Sequence, residues 1–305
     1  MRALVISGGG SKGAFGGGVA QYLIEELGHQ YGIFVGTSTG SLLVPNLALN
    51  HIEKIKNVYT SVNQESIFSH QPFTVKRDKW GGKEIAINHW NVLRNFLRKS
   101  KTFGESRNLR KLIEKTFTEA DFNALRESDR EVVVTVSNLS LNQVEYKSNR
   151  DFSYQDFCDW IWISCNYTPF MSLVKKEGCE YADGGFGSMV PIEEAINRGA
   201  TEVDIIILET EVTYYNRLPS RNVFSLITSM HQYMFDRIEK QNIRIGKFVA
   251  GNHNTILNFY YTPTVLTTNS LIFDKAEMER WWESGFQFAK MKNIELNEIR
   301  GPEDA

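Results

Sequence analysis

Ser38 stands between two glycines in Gly36-Thr37-Ser38-Thr39-Gly40. A serine in that spacing is a candidate nucleophile for acyl transfer when a tight turn holds its hydroxyl clear of its neighbours. Two other stretches carry groups that such a reaction uses. Gly8-Gly9-Gly10-Ser11-Lys12-Gly13 offers consecutive backbone N–H groups, which can stabilise negative charge building on a carbonyl oxygen. Asp183-Gly184-Gly185 offers a carboxylate that can take a proton. Each stretch also has a plainer reading as a glycine turn, and Asp-Gly-Gly alone is a common hairpin turn. Gly8, Gly10 and Gly13 further satisfy the G-x-G-x-x-G spacing of dinucleotide sites. That reading wants an acidic residue closing the second strand, where this chain has Gly36-Thr37-Ser38.

The flanking sequence says how these groups are positioned. Ala3-Leu4-Val5-Ile6 reads as a buried strand running into the glycine-rich turn, followed by a helix from Ala14 to Leu27. Ile33-Phe34-Val35 reads as a second strand, and Ser41-Leu42-Leu43-Val44 opens a second helix. Strand, turn, helix, repeated within a short span, puts both turns at one edge of a parallel sheet, side by side. Tyr181-Ala182-Asp183 reads as a strand end that delivers the carboxylate.

These three blocks, in this order, resemble the motif set of the patatin-like phospholipases over residues 1 to about 200. The resemblance implies an α/β fold, a three-layer α/β/α sandwich around a mainly parallel sheet. It implies Ser38 as nucleophile, Asp183 as base, and the Gly9 and Gly10 amides as oxyanion hole. Gly8, Lys12, Gly13, Gly36, Gly40, Gly184 and Gly185 then shape the motif loops. No metal or cofactor is implied. The expected activity is that of a lipid acyl hydrolase of phospholipase A or lysophospholipase type, acting on phospholipid or lysophospholipid through an acyl-enzyme. An acyltransferase on the same dyad and an inactive lipid-binding relative are the rival readings. Two departures stand out. The family usually carries Arg where this chain has Lys12, which keeps the charge but loses the planar fork. The asparagine usual between the aspartate and Pro191 is replaced by Ser188-Met189-Val190.

Composition sets outer bounds. The chain has 305 residues, 42% hydrophobic, with net charge −2, so bulk charge names no partner and gives no sign of nucleic-acid binding. Cys158, Cys165 and Cys179 have no C-x-x-C spacing, which fits a reducing cytosol. The first apolar run is too short for a signal peptide. The six histidines fall in no metal-ligand spacing. Cys165 raises a thiol nucleophile, but without an evident paired base a free cysteine reads as inert core. With no linker or repeat, residues 1–305 read as one domain with a helical, basic insertion over about 63–130.

The rest of the chain reads as frame. Pro45 should kink or end the helix after Ser38. His70-Gln71-Pro72 and Trp80-Gly81-Gly82 read as loop, Glu84 to Arg98 as an amphipathic helix, and Ser106 to Phe117 as another, with a short one from Thr118. Glu131 to Val136 and Val203 to Leu208 read as buried strands, and Val144-Glu145-Tyr146 as an antiparallel edge strand. Helices are expected over 154–165, 192–198, 222–248 and 276–291, with the stripe Phe224, Ile227, Met230, Met234 and Ile238 taken as core. Residues 74 to 115 hold twelve Lys and Arg against four Asp and Glu, interleaved with Trp80, Trp90, Phe96 and Phe103. That balance fits either a solvated face or peripheral contact with an anionic membrane, here the inner face seen from the cytoplasm.

Overall fold

A computed structural model describes residues 1–77, 83–97, 99–212 and 223–300. Its centre is an eight-stranded sheet. Strands β1 (Arg2–Ile6) and β2 (Ile33–Thr37) pair in parallel, with Ile6 opposite Gly36. A separate hairpin is formed by β3 (Phe73–Arg77) and β4 (Lys83–Ile87). Strand β5 (Glu131–Asn138) runs parallel to β2, and β6 (Gln143–Ser148) returns antiparallel beside it. Then come β7 (Val174–Lys176), β8 (Cys179–Asp183), β9 (Glu202–Ile207) and β10 (Ile256–Tyr261). The order is β10-β9-β1-β2-β5-β8-β7, with β6 also paired to β5. The five strands from β10 to β5 are all parallel. Such strands are covered on both faces and therefore read as continuous apolar runs. Val132, Val133, Val134 and Val136 of β5 are fully buried, each contributing about 1.5–3 kcal/mol relative to exposure.

Helices close both faces. One is covered by α1 (Gly13–Gln21), α2 (Thr39–Ala48), α3 (Ile52–Ser61), α4 (Gln64–Ile67) and, beyond α5 (His89–Leu97), by α6 (Arg107–Thr116), α7 (Glu119–Glu127) and α8 (Tyr154–Ser164). The other is covered by α9 (Ile192–Asn197) and α10 (Val223–His253). The last helix, α11 (Lys275–Arg300), returns to the first face and lies directly on α1. A Cβ on Gly18 would stand 1.8 Å from the Trp282 carbonyl oxygen, and one on Gly285 2.1 Å from that of Phe15. The glycines thus let two helix backbones touch, with Trp282 fully buried between them. The result is the expected three-layer α/β/α sandwich.

Several local expectations are corrected. The first helix does not stay α-helical to Leu27. It widens into a π-turn over Tyr22–Glu26, where the Leu27 amide bonds the Tyr22 carbonyl five residues back. Pro45 does not end α2, which continues to Ala48. The lost hydrogen bond is offset by Leu43, Val44, Leu47 and Ala48, all fully buried. The helix expected over 84–98 is split. Its first part is strand β4, with Ile85 opposite Val75, and α5 begins only at His89, where the Asn88 carboxamide accepts from the Asn91 amide. The α10 stripe is half outside: Met230 and Met234 are exposed, while the cleft described below is faced by Phe235 and Glu239. The loop expected at Trp80-Gly81-Gly82 lies outside the described residues.

Candidate active site

The sheet register brings the carboxylate to the serine. β2 pairs with β5 only as far as Thr37 opposite Thr135. There the chain turns sharply into α2. One residue further along the same side of β5, β8 takes over, with Asp183 opposite Val136. A strand ending at Asp183 and a turn beginning at Ser38 therefore meet at one point. Ser38 Oγ donates to Asp183 Oδ2 at 2.7 Å.

Ser38 has φ 52° and ψ −119°, a strained conformation for a residue with a side chain. Packing holds it there. A Cβ on Gly36 would lie 2.5 Å from the Gly40 carbonyl carbon, and one on Gly40 2.2 Å from the Ile6 carbonyl oxygen. Both glycines are thus fixed by close approach, as the turn requires. The Ser38 amide donates to Ser164 Oγ at 2.9 Å, and Ser41 Oγ, 2.8 Å from Ser164 Oγ, in turn bonds the Gly36 carbonyl at 2.9 Å. Cys165 Sγ lies 3.0 Å from the Ser38 carbonyl oxygen. Burial pushes that thiol well above its ordinary range, which leaves no thiolate to act as a nucleophile.

Asp183 is held as firmly. Its amide donates to the Asn166 carbonyl at 2.9 Å, and its Oδ1 accepts from the Gly185 amide at 2.8 Å. A Cβ on Gly184 would come within 2.2 Å of the Thr135 carbonyl oxygen, so the loop lies flat on β5. The carboxyl is 3% exposed, and burial raises it to about 7 against the pull of the two hydrogen bonds. The missing asparagine of the Asp loop has a substitute from another element. Asn242 of α10 accepts from the amides of Met189 at 2.8 Å and Val190 at 3.2 Å. Thr37 Oγ1 ties the serine turn to the same loop through the Ser188 carbonyl, at 2.9 Å.

The glycine-rich turn lies alongside. The Gly10 carbonyl accepts from Thr39 Oγ1 at 2.8 Å and from the Tyr59 hydroxyl at 2.6 Å. The Gly8 amide donates to the Met189 carbonyl at 3.3 Å and the Ser11 amide to the Ser270 carbonyl at 2.9 Å. Among the described residues, the Gly9 and Gly10 amides between them make no hydrogen bond. Gly13 opens α1 with its Cα against Thr39 and Tyr59. Lys12 is 5% exposed and its ammonium engages Glu209.

Ser38, Asp183, Gly8, Gly9, Gly10 and Lys12 share one cleft, open to solvent, of about 140 Å³. One wall is apolar, from Ile55, Val62, Leu109, Leu112 and Ile113 on α3 and α6 and their flanks. The other carries Glu209, Gln232, Asp236 and Glu239. Tyr59, Ser164 and Asn242 are site residues that the sequence alone does not mark. Ser164 is the last residue of α8, and Tyr59 and Asn242 reach the site from helix faces with no local motif. Among the described residues no group of three or more His, Cys, Asp or Glu is placed to hold a metal ion.

No curated protein matches the chain. The solved structure of VipD from Legionella pneumophila is similar in fold, with a TM-score of 0.52 at 14% identity. The likeness covers 95% of this chain and 66% of that one, so the chain spans less than two thirds of VipD. The model of the patatin-like phospholipase family matches residues 4–196. That span, well over half the chain, takes in the glycine-rich turn, the serine turn and the Asp loop in the order and on the strands where they have just been described. The chain therefore belongs to the patatin-like phospholipase family.

Proposed function

We propose that the chain is a serine-dependent lipid acyl hydrolase working through a Ser38–Asp183 dyad, with the Gly9 and Gly10 amides as oxyanion hole. The observation that carries this is the 2.7 Å hydrogen bond from Ser38 Oγ to a buried carboxylate, in a cleft with an apolar wall of the kind an acyl chain can lie against. An ordinary aspartate is too weak a base for a serine hydroxyl. Burial brings Asp183 to about 7, close to the working pH where a general base is most effective. Ser38 Oγ attacks the ester carbonyl carbon as Asp183 takes its proton. The carbonyl oxygen, now negative, sits at the two amides that no described protein group occupies. Collapse breaks the ester bond, Asp183 returns the proton to the departing alcohol, and the acyl group stays on Ser38. Water, deprotonated by Asp183, then releases the fatty acid. The family's members are generally lipid acyl hydrolases, which supports the same reading. A panel of diacyl phospholipids, lysophospholipids and acylglycerols, read by mass spectrometry with and without added glycerol, tests it. Free fatty acid is the expected product. Acyl-glycerol in its place would make the chain a transferase, and no turnover of any ester would reject the proposal.

Gly10→Val is expected to lower kcat by about 10²-fold with a smaller effect on KM, since the amides act mainly in the transition state. Gly10 has φ 56°, and its Cβ would lie 2.2 Å from the Ser270 carbonyl oxygen, so the turn must shift. Steady-state kinetics alongside a melting curve checks this. A change in KM alone would assign the turn to substrate binding.

Among the described residues no helix is long and apolar enough to cross a membrane. We place the lipid-docking face on residues 74–115. On α5, Trp90 is 81%, Leu93 49% and Leu97 73% exposed, at a spacing that shares one helix face. Phe103 does not join them, because its ring packs 6.1 Å from that of Phe170. The side chains of Trp80, Phe96, Arg77, Lys79 and Arg98 lie outside the described ones. Lys76, Arg94 and Lys99 are exposed, and each basic group near an anionic surface adds about 1 kcal/mol. Reversing all three to Glu is expected to weaken co-sedimentation with anionic vesicles at least tenfold, and salt should weaken wild-type binding over the same range. Unchanged, salt-insensitive binding would leave the segment as ordinary solvated surface.

A further inference from the structure

The polar wall of the cleft has no role in the reaction derived above. Its residues come from α10 and from the end of β9, over one face of the sheet. The apolar wall comes from α3 and α6, over the other. The reacting pair sits at the sheet edge between them. An ester held with its acyl chain along the apolar wall has its alcohol part left to the polar one.

That wall is strongly acidic. Three carboxyl groups, Glu209, Asp236 and Glu239, line it beside the ammonium of Lys12. Lys12 is already matched by Glu209. Gln232 Nε2 lies 3.5 Å from Glu209 Oε1 and 3.3 Å from Asp236 Oδ1, which keeps both carboxylates at the cleft. Glu239 is the residue without an internal explanation. It is 8% exposed and lines the cleft, and among the described residues its carboxyl makes no hydrogen bond or ion pair. A buried acid of this kind is costly unless something in the cavity completes it.

We infer that Glu239, with Asp236 and Glu209, forms a subsite for a cationic alcohol group, so that the chain prefers esters whose leaving group carries an ammonium. The inference rests on the Ser38–Asp183 reading for the direction in which the ester lies. An anionic headgroup would be repelled by a wall whose described lining residues carry three carboxyls against the ammonium of Lys12. A neutral one would leave the buried Glu239 carboxyl with neither a hydrogen bond nor an ion pair among the described residues. Burial, and the nearby Glu209 carboxylate, push Glu239 up to about 8, while Lys12 and Lys240 act the other way and Asp236 adds to the rise. An arriving ammonium favours the ionised acid, so binding at neutral pH releases a proton.

The test uses two esters of equal shape and different charge: octanoylcholine, and its uncharged carbon isostere 3,3-dimethylbutyl octanoate. Wild-type protein should favour the charged ester in kcat/KM by about tenfold, and Glu239→Gln should lower that ratio about fivefold, as loss of one nearby solvated charge predicts. Glu239→Lys should invert it. Binding of both compounds to Ser38→Ala protein, measured by calorimetry, reports the same preference without turnover. A ratio near one in the wild type, or one unmoved by both Glu239 variants, overturns the subsite. Preferential binding of the charged compound with no hydrolysis of either ester by wild-type protein leaves the subsite standing and overturns the Ser–Asp hydrolase reading.

Discussion

Ser38→Ala protein is expected to fold as the wild type does and to lose ester hydrolysis by at least about 10⁴-fold, the scale seen when a nucleophile is deleted from a unit that acts together. The expectation follows from the geometry. Ser38 Oγ is the hydroxyl bonded to the buried carboxylate, and the turn that presents it is fixed by Gly36, Gly40 and the Ser164 hydroxyl. Alanine keeps the Cβ and the strained backbone, so the turn has no reason to relax. A fluorophosphonate should label the wild type at Ser38 and leave the variant unlabelled. Labelling at another residue, or esterase activity that survives the change, would remove Ser38 from the reaction.

Asp183→Asn is expected to cost at least about 10²-fold in kcat, because the carboxamide keeps the shape and cannot take a proton. Wild-type kcat/KM should rise with pH through about 7, where Asp183 ionises, and fall tenfold for each unit below it. Stability moves the opposite way. The folded pKa lies above the unfolded value near 3.9, so this group favours the fold fully below that value and loses its contribution as pH rises through about 7. At pH 8 the ionised acid costs on the order of 4 kcal/mol at most, at about 1.4 kcal/mol per unit. The lost bonds to Ser38 and Gly185 reduce what the variant recovers. Asp183→Asn should therefore melt higher than the wild type at pH 8 and no higher at pH 4, by scanning fluorimetry at the two pH values. A histidine substitution that abolished activity in a folded protein would point to a triad instead. His231 is the one to try, because its ring stacks edge-on against Tyr167 at 5.4 Å, beside the cleft.

The sheet and the meeting of three motifs at its edge are legible because buried parallel strands are written as unbroken apolar runs, and because glycine spacing encodes close backbone approach directly. Ala3 to Ile6, Ile33 to Val35 and Glu131 to Val136 show the first, Gly36 and Gly40 the second. What is not legible comes from elements whose fit depends on distant partners. The β3–β4 hairpin carries short alternating segments that also fit a helix period, and only pairing of Val75 with Ile85 decides between them. The apolar stripe of α10 points to the wrong face, since the cleft-facing side is mostly polar, with Gln232, Asp236 and Glu239 beside Phe235, and gives no continuous hydrophobic signal. Asn242 takes the part of an asparagine expected some fifty residues earlier, a substitution that spacing along the chain cannot reveal.

The carbonyl of Ser270 grips the Ser11 amide and presses against Gly10, while α11 lies on α1 with no side chain between the backbones at Gly18 and Gly285. Both contacts come from sequence beyond residue 196, where the family match ends. The match to the family model and the contacts that hold the glycine-rich turn thus end at different places in this chain. The three motifs lie in the first two thirds, but the carbonyl that holds the glycine-rich turn comes from the last third. A chain cut at the family boundary would carry every signature residue and lack the clamp that sets their geometry.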